Sequence, residues 1–147
     1  TGWRLGWITA SPQVMDGVKK INVSSATHVA TFLMPAAETA LGLTQELEVM
    51  NESFRNRRTI AHEAFSSLPG VVVPEPEGAF YILCDITGTG MTDIEFATLA
   101  LEEAQVQVIP GSLMKGGEGL IRVSYATSLE NIHEGVKRLK EWLENRT

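Results

Sequence analysis

The stretch GLIRVSYA, residues 119–126, is a short apolar run with an arginine at its centre. Leu, Ile, Val and Tyr favour a β-strand, and the glycines around the start of the run bound that strand. Arg122 is the exception, because a guanidinium stays charged and burying it without an anion is costly. Two interpretations of Arg122 stay open: an edge-strand side chain that reaches water or pairs with a nearby Glu, and a bidentate clamp for a carboxylate or phosphate.

Composition narrows the class of protein. The 147 residues are 44% hydrophobic and 20% charged, which is typical of a globular protein rather than a disordered or fibrous one. A formal net charge of -6, with only the short RNRR stretch at residues 55–58, argues against a nucleic-acid partner. The sequence shows no membrane-spanning run and no signal-peptide pattern, so we expect a cytoplasmic protein with no membrane partner.

The histidines and the single cysteine show no metal-binding spacing. His28, His62 and His133 lie in different predicted elements, so we expect no metal site. Cys84 has no second cysteine in the chain to pair with, and its place in an apolar run predicts a small buried hydrophobic residue.

The first half of the chain predicts one strand followed by helices. Residues 2–10 are rich in Trp and Ile, which predicts a buried strand. Ser11 and Pro12 predict the start of a short helix. Residues 30–43 are helix-prone around Pro35, which either kinks the helix or lies in its first turn.

A longer helical pattern runs from Thr44 to about Ser67. Its apolar residues keep helical spacing, while Glu52 and residues 56–59 make its middle polar, and a domain junction is expected near residues 51–58. A helix buried at both ends with an exposed middle suggests a connection between two bodies.

The second half predicts a small sheet covered by two helices, and the predicted strands are residues 71–73, 79–86, 107–110 and 119–126. Thr92 with Glu95 predicts a capping box at the start of one helix, and Thr127 with Glu130 predicts the start of the last. The predicted inward face of the last helix is Ile132, Val136, Leu139 and Leu143. The fold class is therefore α/β, with an α+β second half in which residues 79–86 and 119–126 share one sheet.

A second arginine lies among strand-forming residues. Arg4 is flanked by Trp3 and Leu5, much as Arg122 is flanked by Ile and Val. Two such arginines imply a site that holds two negative groups.

Four blocks carry a resemblance to a known family: TGWRLGW at 1–7, PEGAFYI at 76–82, PGS at 110–112 and GLIRVSYA at 119–126. In this order and spacing they resemble fold type I pyridoxal-phosphate (PLP) enzymes of the aspartate aminotransferase-like, class I/II family. The resemblance implies that Arg4 binds the cofactor phosphate and that Arg122 binds the substrate α-carboxylate. It also implies that Phe80 and Tyr81 lie close to the substrate pocket.

The resemblance further implies a division into a C-terminal piece of the large domain, a connecting helix and a small α+β domain, at residues 1–50, 51–69 and 70–147. In the family the Schiff-base lysine lies a few residues before the TGWR block. The lysines of this chain lie in other contexts: Lys19, Lys20, Lys115, Lys137 and Lys140. We therefore expect a C-terminal aminotransferase fragment that holds no catalytic residue, is inactive alone and does not bind PLP alone.

The expected reaction moves an amino group between an amino acid and a 2-oxo acid, in an enzyme that is a homodimer when full length. Two other interpretations stay open. One is a non-catalytic anion-binding or regulatory module that keeps the small-domain fold. The other is a PLP-dependent lyase of the same fold. The sequence does not identify the substrate side chain.

Overall fold

A computed structural model describes residues 2–146, so Thr1 of the TGWR block and Thr147 lie outside the described residues. The α-helices are α1 (Pro12–Ser25), α2 (Met34–Leu41), α3 (Thr44–Ser66), α4 (Asp93–Glu102) and α5 (Leu129–Glu144). The β-strands are β1 (Tyr81–Asp85), β2 (Ile109–Pro110) and β3 (Leu120–Ser124). Within the described chain, no helix is both long enough and apolar enough to cross a membrane.

The chain divides into two compact units, Thr1–Val49 and Met50–Thr147. We refer to them as the N-terminal unit and the C-terminal unit. The three-part division into residues 1–50, 51–69 and 70–147 stays a prediction.

The sheet of the C-terminal unit is antiparallel, with strand order β1-β3-β2. Residue 122 faces Leu83 on one side and Ile109 on the other. The prediction that residues 79–86 and 119–126 share one sheet is confirmed, and the structure shows that the two strands pair directly. Because β3 is the central strand, the edge-strand interpretation of Arg122 is wrong.

Two of the predicted strands are shorter than expected. Residues 71–73 contribute a single bridge, between Val72 and Asp85. Of the predicted strand at residues 107–110, only the last two residues form β2. Pro110 has no backbone N–H, so it cannot donate a hydrogen bond that would continue the ladder.

The core of the C-terminal unit lies between the sheet and its helices. Ile82, Ile121 and Phe96 are fully buried, and Phe96 meets Trp142 of α5 edge-on with ring centroids 5.1 Å apart. The predicted inward face of α5 is confirmed, since all four of its residues are buried. Cys84 is also fully buried as predicted, and this burial raises the pKa of its thiol to about 12.

The helix starts in this unit follow capping chemistry. The Thr92 hydroxyl accepts from the Glu95 N–H while the Glu95 carboxylate accepts from the Thr92 N–H, so the predicted capping box is confirmed. For α5 the predicted cap at Thr127 is wrong by one residue. Ser128 accepts the Asn131 N–H instead, and Thr127 accepts from the Asn131 side chain.

The predicted strand at residues 2–10 is wrong. These residues form a turn and an irregular segment, and most of them are exposed. A strand is stable only beside a hydrogen-bonded neighbour, and the ladders of the described sheet involve β1, β2 and β3 alone. The backbone also departs from extended geometry at Arg4, whose φ is 55°.

The helices of the first half form as predicted. Pro12 begins α1 directly after Ser11, and Pro35 lies in the first turn of α2. The predicted burial of α3 at both ends is wrong. Leu47 and Met50 are 46% and 48% exposed, and the fully buried positions of α3 lie towards its C-terminal end.

Candidate functional site

The sheet has one buried face and one open face. Side chains alternate along each strand, so Ile82 and Ile121 enter the core. Tyr81, Leu83 and Arg122 lie on the opposite face, where Tyr81 and Leu83 are 36% and 43% exposed. The open face therefore carries a cation at its centre, with Tyr81 and Leu83 beside it and the polar residues Ser124 and Asp85 towards its ends.

The Arg122 guanidinium stacks on an aromatic ring. Its central carbon lies 4.6 Å from the centroid of the Tyr81 ring, which is cation–π distance. Arg122 is half-buried, and none of the ion pairs between residues 2–146 includes it. The structure thus leaves this cation without a carboxylate from the described chain.

Tyr81 belongs to a row of aromatic rings. The Phe80 ring lies 4.5 Å from Tyr81, centroid to centroid, and 6.3 Å from Phe54 of α3. Phe80 is half-buried and packs against the core. We call Phe54, Phe80 and Tyr81 the aromatic row, which connects α3 to the open face of the sheet.

The residues before β1 are fixed by Tyr125, which follows β3. Its hydroxyl donates to the Ala79 carbonyl at 2.8 Å and its N–H donates to the Phe80 carbonyl at 3.0 Å. Burial raises the pKa of the Tyr125 hydroxyl, although the charge of Arg58 opposes that shift. The hydroxyl therefore stays protonated and can donate near neutral pH. Ala79 itself has a φ of 60°, so these bonds hold the backbone in an unfavourable conformation.

Arg58 is a second cation near this segment. It shares the apolar helical face of α3 with Phe54 and Ala61, and its Nη1 makes a long hydrogen bond of 3.4 Å to the Pro76 carbonyl. Its Nε is buried and has no hydrogen-bond partner within the described residues. Together with Tyr125 it lines a cavity of about 330 Å³.

Sequence reasoning did not find Arg58 or Tyr125 as residues of this site. The available signal at Arg58 was its position on an otherwise apolar helical stripe. In the sequence Tyr125 indicates only a strand former, because its hydroxyl bonds to Ala79, a residue far away in the chain.

Arg4 lies in the N-terminal unit. It is exposed, and no ion pair among residues 2–146 includes it. Nearby Trp3 and Trp7 are each 70% exposed and line a groove of about 320 Å³ with residues of α2. The structure thus brings Arg122, Phe80 and Tyr81 together in one unit, while Arg4 belongs to the other.

The PGS block forms a tight turn after β2. A side chain at Gly111 would collide with the carbonyl oxygen of Gly117, so glycine is required there. The Ser112 N–H donates to the buried Asp93 carboxylate at 2.7 Å. This block therefore fixes the turn beside the central strand.

Comparison with known proteins identifies the family. The family model described as Aminotransferase class I and II matches residues 1–139. The chain belongs to this family. The aspartate aminotransferase of Pyrococcus horikoshii is 39% identical over 148 residues, which cover 98% of this chain and 38% of that protein. The probable aspartate/prephenate aminotransferase of Aquifex aeolicus is 37% identical, covering 98% of this chain and 38% of that protein.

Solved structures of aminotransferases share the fold. The aromatic aminotransferase from Pyrococcus horikoshii superposes with a TM-score of 0.89 at 37% identity, covering 99% of this chain and 40% of that one. The aspartate aminotransferase from Thermotoga maritima gives 0.84 at 33% identity, covering 97% and 36%. The α/β class and the aminotransferase family are thereby confirmed. The chain spans about two fifths of the length of these relatives.

The roles of the individual site residues stay predictions: Arg4, Phe80, Tyr81 and Arg122. The described residues contain no cluster of three or more His, Cys, Asp and Glu side chains that could hold a metal ion.

Proposed function

We propose that this chain is the C-terminal part of a PLP-dependent aminotransferase, and that the complete protein moves an amino group between an amino acid and a 2-oxo acid. The observation that carries the proposal is Arg122 at the centre of the open sheet face, with no carboxylate partner among the described residues. The family match and the names of the relatives support the reaction class.

In this proposal Arg122 binds the α-carboxylate of the amino acid. A guanidinium presents two parallel N–H groups that match the two oxygens of a carboxylate. Such a bidentate contact fixes the orientation of the substrate as well as its position, which lowers the entropic part of the barrier. The contribution of the chain is therefore to place the bond to the α-carbon correctly for reaction.

Arg4 is the residue of this chain that fits the cofactor. Its exposed guanidinium lacks an ion-pair partner in the described part, which suits a contact with a phosphate dianion. The cofactor, when bound, supplies the electron sink for amino-group transfer. The complete protein is proposed to be a homodimer, with residues 1–50 in the cofactor-binding domain and 70–147 in the small domain.

The isolated chain is proposed to be inactive. A lysine that carries the cofactor works from a desolvated and charged site. The lysines here are all exposed, and three of them lie 4.0 Å from helical carboxylates: Lys19, Lys137 and Lys140. After incubation with PLP and reduction with borohydride, peptide mapping should find no single lysine labelled stoichiometrically. Such labelling together with turnover would contradict this part of the proposal.

The reaction itself is tested on the complete protein. We expect the complete protein to convert a 2-oxo acid acceptor into a new amino acid in a PLP-dependent reaction. Mass spectrometry measures this product for each member of a panel of amino-acid donors. Breakdown of the donor without an acceptor would instead indicate a lyase. Binding of amino acids with no conversion would favour the non-catalytic anion-binding module. Either result would overturn the aminotransferase proposal.

A further inference from the structure

We propose that Tyr81 is a positioning residue, whose ring is a platform that orients the Arg122 guanidinium for a carboxylate. This inference rests on the proposed function, because it concerns how Arg122 is held. Its basis is the stacking distance of 4.6 Å between the guanidinium carbon and the ring centroid.

Stacking and carboxylate binding use different parts of a guanidinium. The N–H groups of arginine point outward in its plane, whereas the ring contacts the face of that plane. A guanidinium resting on Tyr81 therefore keeps its N–H groups available for a bidentate contact. The platform and the ligand do not compete.

No residue directly opposite Arg122 in the sheet carries a complementary charge. The residues directly opposite it in the ladders are Leu83 and Ile109, both aliphatic. The Asp85 carboxylate lies on the same open face, but it accepts hydrogen bonds from the N–H and the hydroxyl of Thr87, and within residues 2–146 it forms no ion pair with Arg122. The quadrupole of the Tyr81 ring is therefore the electrostatic partner that the sheet face itself provides.

The ring of Tyr81 is itself held in place. Phe80 packs against it at 4.5 Å, and the backbone just before β1 is fixed by the two hydrogen bonds from Tyr125. A platform fixed in this way reduces the rotamer freedom that Arg122 loses when a ligand binds. The stacking contact is made with the face of the Tyr81 ring, so the ring without its hydroxyl should suffice.

The test uses the complete protein with Tyr81→Phe, Tyr81→Leu and Arg122→Lys. The readouts are kcat and KM for the amino acid, the affinity for PLP, and the dissociation constant of propionate, a carboxylate that cannot react. We expect Tyr81→Leu to raise both the KM for the amino acid and the dissociation constant of propionate by roughly 3- to 30-fold. Its kcat and its affinity for PLP should stay nearly unchanged. Tyr81→Phe, the matched control, should stay within about 2-fold of the parent.

Tyr81 lies on an open face, so folding should tolerate the change, and Tyr81→Ile provides a second ring-free variant that suits a strand. If Tyr81→Leu binds propionate as tightly as Tyr81→Phe does, while Arg122→Lys binds it more weakly, the role of Tyr81 as a platform is refuted. The proposed function is not affected by that result. Equal losses in Tyr81→Phe and Tyr81→Leu would also refute the platform, because the hydroxyl would then contact the ligand. Unchanged propionate binding by Arg122→Lys would instead refute the role of Arg122 in the proposed function.

Discussion

The two units of the chain bury their apolar residues to very different extents. In the N-terminal unit α1 and α2 contain no buried residue, and Phe32 in the turn before α2 is 73% exposed. In the C-terminal unit Ile82, Phe96 and Leu139 are fully buried around one core. Both units carry apolar residues at helical spacing, so spacing specifies the helix but does not provide the surface that covers it.

This difference separates two contributions to stability. Local contributions, such as helix propensity and caps, act wherever a helix forms. Contributions from packing act only where a second surface excludes water. Matched substitutions in the two units should therefore have unequal effects on the free energy of unfolding of the chain.

The largest contrast is expected for phenylalanine. Phe96→Ala removes a fully buried ring that packs on Trp142, and should lower the free energy of unfolding by about 3–5 kcal/mol. Phe32→Ala, at an exposed position, should change it by less than about 0.5 kcal/mol. Urea denaturation followed by circular dichroism measures both. Comparable losses in the two variants would show that the N-terminal unit has a packed core as well.

Substitution of glycine by alanine should change the free energy of unfolding in opposite directions in the two units. Gly111→Ala forces a side chain against the Gly117 carbonyl and should cost about 1–3 kcal/mol. Gly17→Ala meets nothing within 4 Å inside α1, and should stabilise that helix by up to about 1 kcal/mol. Hydrogen exchange of the α1 amides and the urea midpoint report the two effects. A destabilising Gly17→Ala would reveal a contact on α1 that the structure does not show.

The helix caps give a smaller contrast. The Thr92 hydroxyl accepts the Glu95 N–H at 3.2 Å, so Thr92→Ala should cost about 1 kcal/mol. Ser11 makes no side-chain capping bond, and Ser11→Ala should be nearly neutral. Thermal melts of the two variants provide the comparison. Equal shifts in melting temperature would mean that the hydroxyl of Ser11 also caps its helix in solution.

The smallest contrast concerns acid stability. Hydrogen bonding from Ser112, whose N–H donates to the carboxylate at 2.7 Å, lowers the pKa of the Asp93 carboxyl. Because the folded pKa lies below the unfolded value, the stabilisation is complete above the unfolded pKa and is lost as the pH falls through the folded pKa.

Asp93→Asn should therefore flatten the decline of the urea midpoint on acidification through the carboxyl range. Asp16→Asn is the control, since Asp16 forms only an exposed pair with Lys19 at 4.0 Å and should change little. An unchanged acid slope in Asp93→Asn would show that this carboxylate does not contribute.

Local patterns allowed much of the fold to be predicted. Apolar spacing predicted the helices, and the Thr92 capping box was correct because it is a property of neighbouring residues. For Pro35 the sequence left two alternatives, and the structure shows the first-turn position. The shared sheet of residues 79–86 and 119–126 was also predicted, since each is a short apolar run bounded by turn residues, whereas their direct pairing is a finding of the structure. At residues 2–10 the pattern suits a strand, yet a strand also needs a partner that sequence periodicity cannot supply.

The site was less predictable than the fold. Arg122 was found because a charge within an apolar run is unusual, and the family resemblance added Phe80 and Tyr81. The contacts that organise these residues join distant positions, such as the Tyr125 hydroxyl with the Ala79 carbonyl. Helical or strand periodicity reports neighbours within a few residues, and it therefore contains no information about such contacts.

The central claim is that the two units each provide one arginine for a different anion. It is tested most directly by measuring the PLP dissociation constant and the amino-acid KM in Arg4→Ala and Arg122→Lys variants of the complete protein. We predict that Arg122→Lys raises KM by roughly 10- to 100-fold with PLP affinity nearly intact, because a point charge cannot replace the bidentate fork. Arg4→Ala should weaken PLP binding. Unchanged amino-acid kinetics in Arg122→Lys, or PLP affinity equal to the parent in Arg4→Ala, would contradict the claim.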